Sequence, residues 1–267
     1  MYASHWGLIQ MPFGPGLDPC YFFESAGHEE ALARMHFLVE EGRRCGLLLG
    51  PSGCGKSLLF EVFAERIRRW GRPVAKLSLI GLDAAGLVAA IADQLRIRVA
   101  PGAPEWRIWQ SLERRVREHR YQKLETVLLL DDADLAAAEV LTQVARLAKY
   151  DLTADSRLTV ILAGQTERIG RIGRTLLDLA ELRIDIPVWE PRDTEAFLSR
   201  SLERAGGGAW VFAEDAIRKM HELGGGSPRR IRQLADLALL AGAGGNLERV
   251  DAQTVEAAGG QLAAIMV

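Results

Sequence analysis

The sequence predicts an α/β core with a parallel sheet, followed by a smaller all-helical domain. Short apolar segments alternate with amphipathic segments of helical length as far as Val188, and beyond it only the helical periodicity continues. In addition, a glycine-rich segment joins the first apolar run to the helix after it. This alternation is typical of a parallel sheet that helices cover on both faces. We therefore divide the chain into an irregular leader (1–27), an α/β core (28–188) and a helical domain (189–267).

Each element follows from a local pattern. Strands are predicted where apolar residues run together between turn residues: Cys45–Leu49, Pro73–Ile80, Thr126–Leu130, Leu158–Ala163 and Glu181–Val188. Helices are predicted where apolar residues recur every three or four positions: Ala26–Glu41, Lys56–Trp70, Asp83–Leu95, Glu105–Tyr121, a helix ending near Lys149, Arg192–Arg204, Ala213–Leu223, Pro228–Leu240 and Ala252–Leu262.

The composition excludes several classes of protein. A hydrophobic fraction of 48% and a charged fraction of 25% are typical of globular chains and exclude a disordered or fibrous one. The net charge of -2 gives no overall attraction to nucleic acid or acidic membranes. Three cysteines without CxxC spacing predict neither a disulfide framework nor a zinc site and favour the cytoplasm. Neither a signal peptide nor an apolar run long enough to span a membrane is present, so we expect no membrane insertion.

The strongest chemical motif follows the first strand. Its sequence GPSGCGKS matches G-x-x-x-x-G-K-[ST], a loop whose main-chain N–H groups enclose phosphates at the start of a helix. Lys56 would reach the β- and γ-phosphates of a nucleotide, and Ser57 would bind Mg²⁺. A lysine in the first turn of a helix opposes the helix dipole unless an anion lies there. The predicted ATP-binding residues are Gly50, Pro51, Ser52, Gly53, Cys54, Gly55, Lys56, Ser57 and Leu58.

Two carboxylates end the third predicted strand. Because ligands of parallel sheets bind at the carboxyl edge, Asp131 is predicted to hold Mg²⁺ and Asp132 to orient the attacking water. The alternative is that these acids only cap the next helix, for which Asp134 is the best capping candidate.

Two further polar residues are weaker candidates. Gln165 follows the fourth strand and is predicted to contact the γ-phosphate or the water; the alternative is a loop glutamine before a helix capped by Thr166. Arg229 follows Ser227 and Pro228, which form a good helix start, and a phosphate facing Arg229 would offset its unfavourable place in the first turn. The alternative for Arg229 is a solvated basic turn.

These motifs resemble a known family. GPSGCGKS, VLLLDD, AGQTE and GSPR are similar to the Walker A, Walker B, sensor 1 and sensor 2 motifs of AAA+ ATPases. The leader, with Met1-Tyr2, Trp6-Gly7-Leu8 and Tyr21-Phe22, resembles the start of the general-secretion-pathway protein A (ExeA-type) ATPases. The related TniB/TnsC transposition ATPases share this core. The resemblance implies a P-loop NTPase (AAA+) fold with ATP between the core and a C-terminal all-helical lid domain, and a leader near the adenine.

The departures from the family also predict properties. Asp132 stands where AAA+ proteins usually carry the longer Glu, so we expect slow or partner-stimulated hydrolysis. The family's Gln-Arg pair before the fifth strand is missing, which leaves Arg183 and Arg174 as alternatives for an arginine finger. The membrane and peptidoglycan-binding parts of the secretion proteins are not matched by this chain.

The expected function is ATP hydrolysis that controls assembly of the protein with itself, as an ATP-dependent homo-oligomer, or with an unidentified protein partner. Two alternatives remain open. The first is a regulator bound to DNA, for which Arg168, Arg171 and Arg174 could form a basic row. The second is a nucleotide switch with negligible turnover.

Overall fold

In the computed structural model, which describes residues 2–14, 16–100, 102–151, 153 and 155–265, five strands form one parallel sheet. They are β1 (Cys45–Gly50), β2 (Val74–Ser78), β3 (Thr126–Asp131), β4 (Leu158–Gln165) and β5 (Leu182–Asp185). Their spatial order is β2-β3-β4-β1-β5, with every neighbouring pair parallel. All residues of β1 and β3 are buried, so both faces of these strands are covered. The parallel sheet expected from the sequence is confirmed.

The described residues form eleven α-helices, of which nine lie close to predicted positions and two, the first and the seventh, correspond to no predicted helix. They are α1 (Tyr2–His5), α2 (Ala26–Glu40), α3 (Lys56–Arg69), α4 (Ala84–Gln94), α5 (Glu105–Tyr121), α6 (Ala138–Ala148), α7 (Arg174–Leu179), α8 (Pro191–Arg204), α9 (Glu214–Gly224), α10 (Pro228–Gly244) and α11 (Ala252–Ile265). In the described part of the chain, no helix combines the length and the apolar character that crossing a membrane requires.

The residues fall into two compact units. The sheet unit contains residues 26–51 and 56–186, and its core is built by the strands together with apolar side chains of α4, α5 and α6. The helical unit contains the chain up to Ser25, residues Ser52–Gly55 and the chain from Pro187 onward. Its core joins aromatic residues of the leader to α8, α9 and α10.

The leader is more ordered than its composition suggests. It contains α1 and a 3-10 turn, Pro19–Tyr21, whereas the sequence predicts an irregular segment. The indole of Trp6 is 2% exposed, and its Nε1 donates to the carbonyl of Leu239 at 3.0 Å. A buried tryptophan gains both apolar contact and a partner for its N–H, which is the physical reason for this order. Met1 of the leader motif lies outside the described residues.

Several element boundaries differ from the prediction. β2 is Val74–Ser78 instead of Pro73–Ile80, and β4 extends to Gln165 instead of ending at Ala163. The segment after β3 forms a 3-10 turn, Ala133–Leu135, before α6 begins, and the residue that precedes α6 is Ala137. Asp134 therefore does not cap a helix, because its side chain is buried and accepts a hydrogen bond elsewhere. The fifth strand is shorter than expected, because Pro187 has no N–H to donate to a neighbouring strand.

Candidate functional site

The loop between β1 and α3 depends on glycine. Gly53 and Gly55 have φ angles of 80° and 102°, in the region that residues with a Cβ rarely adopt. A Cβ on Gly53 would also lie 2.7 Å from the hydroxyl of Ser227, within the helical unit. The glycines therefore set the course of the main chain ahead of Lys56, where α3 begins.

Lys56 bends back over this loop. Its Nζ donates to the carbonyl of Gly50 at 2.7 Å and to that of Pro51 at 2.9 Å. The ammonium group is thus held beside the main chain that follows β1. Its location, at the first residue of α3, agrees with the one that the motif requires.

Ser57 and Asp131 are brought together at the carboxyl edge of the sheet. Asp131 is 7% exposed; burial raises the pKa of its carboxyl group, while a hydrogen bond from the Ser57 side chain and the charge of Lys56 lower it. Its Oδ1 also accepts from the main-chain N–H of Asp132 at 2.9 Å. The negative charge is therefore buried but well surrounded by donors.

The donor set of this pair fits Mg²⁺. A hydroxyl and a carboxylate offer hard oxygen ligands, and Mg²⁺ is usually held by one or two protein ligands together with phosphate oxygens and water. No cluster of three or more His, Cys, Asp or Glu residues suited to a metal occurs among the residues that the structure describes. A site completed by nucleotide phosphates therefore suits these residues better than a closed protein cage.

Asp132 adopts an unusual conformation and has a partner that the sequence did not reveal. Its φ of 57° and ψ of 36° are left-handed, at a cost on the order of 1–2 kcal/mol for a residue with a side chain. Its Oδ2 accepts from the hydroxyl of Ser78 at 2.8 Å. Ser78 is the last residue of β2 and pairs with Asp131. Ser78 could have been identified in the sequence as a polar residue at the end of a predicted strand, if that strand had been known to lie beside β3.

Gln165 ends β4 directly beside the loop. It pairs with Gly50, the last residue of β1. The alternative of a loop glutamine before a helix capped by Thr166 is wrong, because Gln165 belongs to the strand and Thr166 starts a 3-10 turn, Thr166–Ile172. The main-chain N–H of Gln165 donates to Oδ1 of Asp134 at 3.2 Å.

The capping role considered for Asp131 and Asp132 is also wrong, since neither carboxylate caps α6.

The main chain of Arg229, rather than its side chain, contacts the glycine-rich loop. Within the helical unit, its N–H donates to the carbonyl of Gly53 at 3.2 Å, and its side chain is exposed. Ser227 occupies the N-cap position of α10 as predicted, although in the described structure its side chain makes no capping hydrogen bond. Tyr21, expected near the adenine, packs under the guanidinium of Arg204, 4.2 Å from the ring centroid.

The two candidate finger arginines differ in their environment. Arg183, on β5, makes a two-point ion pair with Asp185, with Nε–Oδ2 and Nη2–Oδ1 distances of 2.8 Å. Arg174 begins α7 with a side chain that is 93% exposed, and its Nε lies 3.7 Å from Oδ2 of Asp178. Exposed pairs of this kind contribute about 0–1 kcal/mol, so neither ion pair would prevent either arginine from reaching another molecule.

Comparison with known proteins relates this arrangement to nucleotide-binding proteins. A family model described as AAA domain matches residues 39–172, half of the chain. General secretion pathway protein A of Aeromonas hydrophila is 28% identical over 250 residues, which are 90% of this chain and 45% of that protein. The chain thus spans less than half the length of this curated relative.

Solved structures share the fold. The ORC2 protein of Aeropyrum pernix, determined in ADPNP-ADP complexes, has a TM-score of 0.70 at 17% identity, covering 94% of this chain and 71% of the other. The ORC1 protein of Aeropyrum pernix, determined in complex with DNA, has a TM-score of 0.66 at 18% identity, covering 91% of this chain and 67% of the other. At such low identity the likeness concerns the fold alone.

Proposed function

The chain belongs to the AAA domain family of P-loop ATPases, and from this premise we propose that it binds ATP with Mg²⁺ and hydrolyses it to ADP and phosphate. The single observation that supports this best is the hydrogen bond between Ser57 and the buried carboxylate of Asp131, beside the Lys56 ammonium. It unites a hydroxyl from the first turn of α3 and a carboxylate from β3, two residues 74 positions apart in the sequence. A Mg²⁺ bound with nucleotide phosphates takes oxygen ligands of these two kinds.

In this proposal each residue has one task. Main-chain N–H groups of Gly50 and Ser52–Leu58 bind the phosphates, with Pro51 contributing shape but no donor. Lys56 neutralises charge on the β- and γ-phosphates, and Ser57 and Asp131 hold the metal. When bound, Mg²⁺ supplies charge that stabilises the phosphate oxygens during transfer. Asp132 orients the water and accepts a proton from it. The water oxygen bonds to the γ-phosphorus as the bond to the bridging oxygen breaks, and ADP leaves with the electron pair. Gln165 contacts the γ-phosphate or the attacking water, and Arg229 faces a phosphate.

The short side chain of Asp132 underlies the proposed slow turnover. Its carboxylate is one methylene shorter than that of Glu, and its Oδ2 already accepts the hydroxyl of Ser78. Both features keep the carboxylate close to the sheet edge and away from a water on the γ-phosphate. Catalysis by a positioned base depends on reaching the proton that it accepts.

We expect Asp132→Glu to raise kcat about three- to tenfold, because the longer side chain brings the carboxylate to the water. Asp132→Asn serves as the matched control of equal length, and it should lower kcat about 10- to 100-fold while the affinity for ATP·Mg²⁺ stays unchanged. Phosphate release measured at saturating ATP checks both variants. A decrease of kcat in Asp132→Glu would contradict the proposed role of side-chain length.

We further propose that the ATP state controls assembly with the same chain or with a protein partner. The exposed side chains of Arg183 and Arg174 support this, because each is free to approach a phosphate in a neighbouring subunit. The three cysteines show no CxxC spacing, which fits a reducing compartment and supports a proposed location in the cytoplasm.

A DNA-bound regulator is the second candidate. It is favoured by the exposed arginines of one segment, Arg168, Arg171 and Arg174, and by the fold shared with a protein whose structure contains DNA. Phosphate contacts by such arginines would weaken as salt increases. A nucleotide switch with negligible turnover is the third candidate, and the geometry of Asp132 favours it.

One experiment separates the three candidates: the ATPase rate and the particle mass are measured with and without ATP and duplex DNA. The first candidate predicts larger particles with ATP and no effect of DNA. The second predicts a rate that rises with DNA and a DNA affinity that decreases steeply with salt. Monomers that bind ATP without turnover would identify the switch. Absence of ATP binding under every condition would exclude all three.

A further inference from the structure

Asp134 has a buried carboxylate, and burial of this polar group is not favourable for packing alone. Its side chain is 2% exposed in the 3-10 turn after β3. Among the described residues, Oδ1 accepts the main-chain N–H of Gln165 at 3.2 Å, whereas the buried Oδ2 has no hydrogen-bond partner. A buried charge with an unsatisfied oxygen lowers stability, and an apolar side chain of similar size would pack here at less cost.

The hydrogen bond from Gln165 to Asp134 is made where β4 is no longer paired with β3. The pairing of β3 with β4 ends at Leu130 and Leu162, three residues before Gln165. On its other side, Gln165 still pairs with Gly50 of β1. The Asp134 side chain therefore supplies an acceptor beyond the point where β3 offers one, and it bonds to the residue whose side chain is proposed to meet the γ-phosphate.

The neighbouring glycine leaves room for this contact. A Cβ on Gly164 would lie 3.1 Å from Oδ1 of Asp134 and 3.4 Å from Cδ1 of Ile172. An alanine at this position would force the carboxylate to move by a few tenths of an ångström. The end of β4 is thus adapted to a close approach of the Asp134 oxygen.

We propose that Asp134 is a positioning residue that fixes the main chain of Gln165 and thereby aims its side chain at the γ-phosphate. This inference rests on the proposed function. Groups that act on a transition state must be held within about 0.5 Å, and a misplacement of about 1 Å can reduce a rate 100-fold. A hydrogen bond to the main chain of Gln165 provides this restraint without contact to the substrate.

The test compares Asp134→Ala, Asp134→Asn, Gln165→Ala and the double variant Asp134→Ala/Gln165→Ala in single-turnover hydrolysis of radiolabelled ATP. Asp134→Ala should lower the rate about 10- to 30-fold while ATP affinity stays within about threefold. Asp134→Asn keeps the Oδ1 acceptor and should restore the rate to within about threefold of the parent. In the double variant the loss should equal that of Gln165→Ala alone, because residues that act as one unit are not additive.

Two controls separate positioning from loss of structure. Asp151→Ala removes another largely buried carboxylate, one that pairs with Arg120 at 2.9 Å, and should lower the melting temperature without changing the hydrolysis rate. Gly164→Ala displaces the Asp134 oxygen from the other side and should also slow hydrolysis, which keeps the inference testable if Asp134→Ala does not fold.

Two results would overturn the inference. The first is a hydrolysis rate in Asp134→Ala equal to that of the parent. The second is that Asp134→Ala lowers the rate of the Gln165→Ala variant by the same factor as it lowers the rate of the parent. If the parent itself hydrolysed ATP no faster than Lys56→Ala, the proposed function would fail instead, and the inference with it. The two failures are distinguishable, because the parent is measured in every series.

Discussion

Lys56→Ala is expected to lose about 100-fold or more in affinity for ATP·Mg²⁺, equivalent to about 2.7 kcal/mol. A hydrogen bond between an ammonium group and phosphate contributes about 1.5–3 kcal/mol. The alanine also removes the two hydrogen bonds by which Nζ holds the carbonyls of Gly50 and Pro51. The phosphate contact exists only in the bound state, whereas the two carbonyl contacts are also present without nucleotide, so the loss of the phosphate contact accounts for the expected effect on binding.

Calorimetric titration with ATP in the presence of Mg²⁺ measures this loss. Lys149→Ala is the matched control, since it removes an exposed lysine at the end of α6 and should bind like the parent. Retention of the parental affinity in Lys56→Ala would remove the basis of the proposed function. Thermal melting of both variants establishes that each is folded.

Asp131→Asn should abolish the dependence of ATP binding on Mg²⁺ and reduce kcat about 1,000-fold. The amide cannot supply the negative charge that a divalent cation needs, and metal stabilisation of phosphoryl transfer amounts to several kcal/mol. In EDTA, the parent and Asp131→Asn should bind ATP equally. The measurement is ATP affinity at increasing Mg²⁺ concentration. Asp93→Asn, which changes an exposed carboxylate, is the control.

The same variant has a predictable effect on stability. Burial raises the pKa of Asp131, so the folded state holds this proton more tightly than the unfolded chain. The contribution of Asp131 to stability is therefore largest at low pH and is lost as pH rises through its folded-state pKa. Without nucleotide, Asp131→Asn should melt at a higher temperature than the parent at neutral pH. A lower melting temperature would show that the hydrogen bonds of the carboxylate outweigh its desolvation.

The phosphate loop was predictable because its signal is local. A buried strand, glycines that permit positive φ, and Lys56 at the start of a helix all lie within a dozen residues, and the structure reproduces this succession. The buried strand ending in Asp131 was predictable for the same reason, since an apolar run followed by acids marks a strand end.

Contacts between distant segments could not be predicted in this way. Ser78 and Asp132 are 54 residues apart, and Asp134 and Gln165 are 31 apart. Each pair meets only because the strand order is β2-β3-β4-β1-β5, and alternation of strands and helices does not determine that order. The sequence suggests for Asp134 only the alternative of a helix cap, because a local pattern cannot reveal an acceptor needed by the end of another strand.

The leader shows the same limit at greater range. Tyr2 donates to the carboxylate of Asp236, 234 residues away. The sequence identified the leader by its aromatic residues, but their apolar partners lie in helices near the other end of the chain. No pattern within a short window carries this information.

The attachment of the leader to α10 has a consequence for biosynthesis. Residues of the leader, such as Trp6, need partners such as Leu239, which are translated more than 200 residues after them. Most of the sheet unit is continuous in sequence and can acquire its structure during translation, because domains fold as their residues emerge. The aromatic side chains of the leader remain exposed to solvent until the helices that carry these partners are synthesised. Until these partners are made, the leader of the nascent chain is open to aggregation and to chaperone capture.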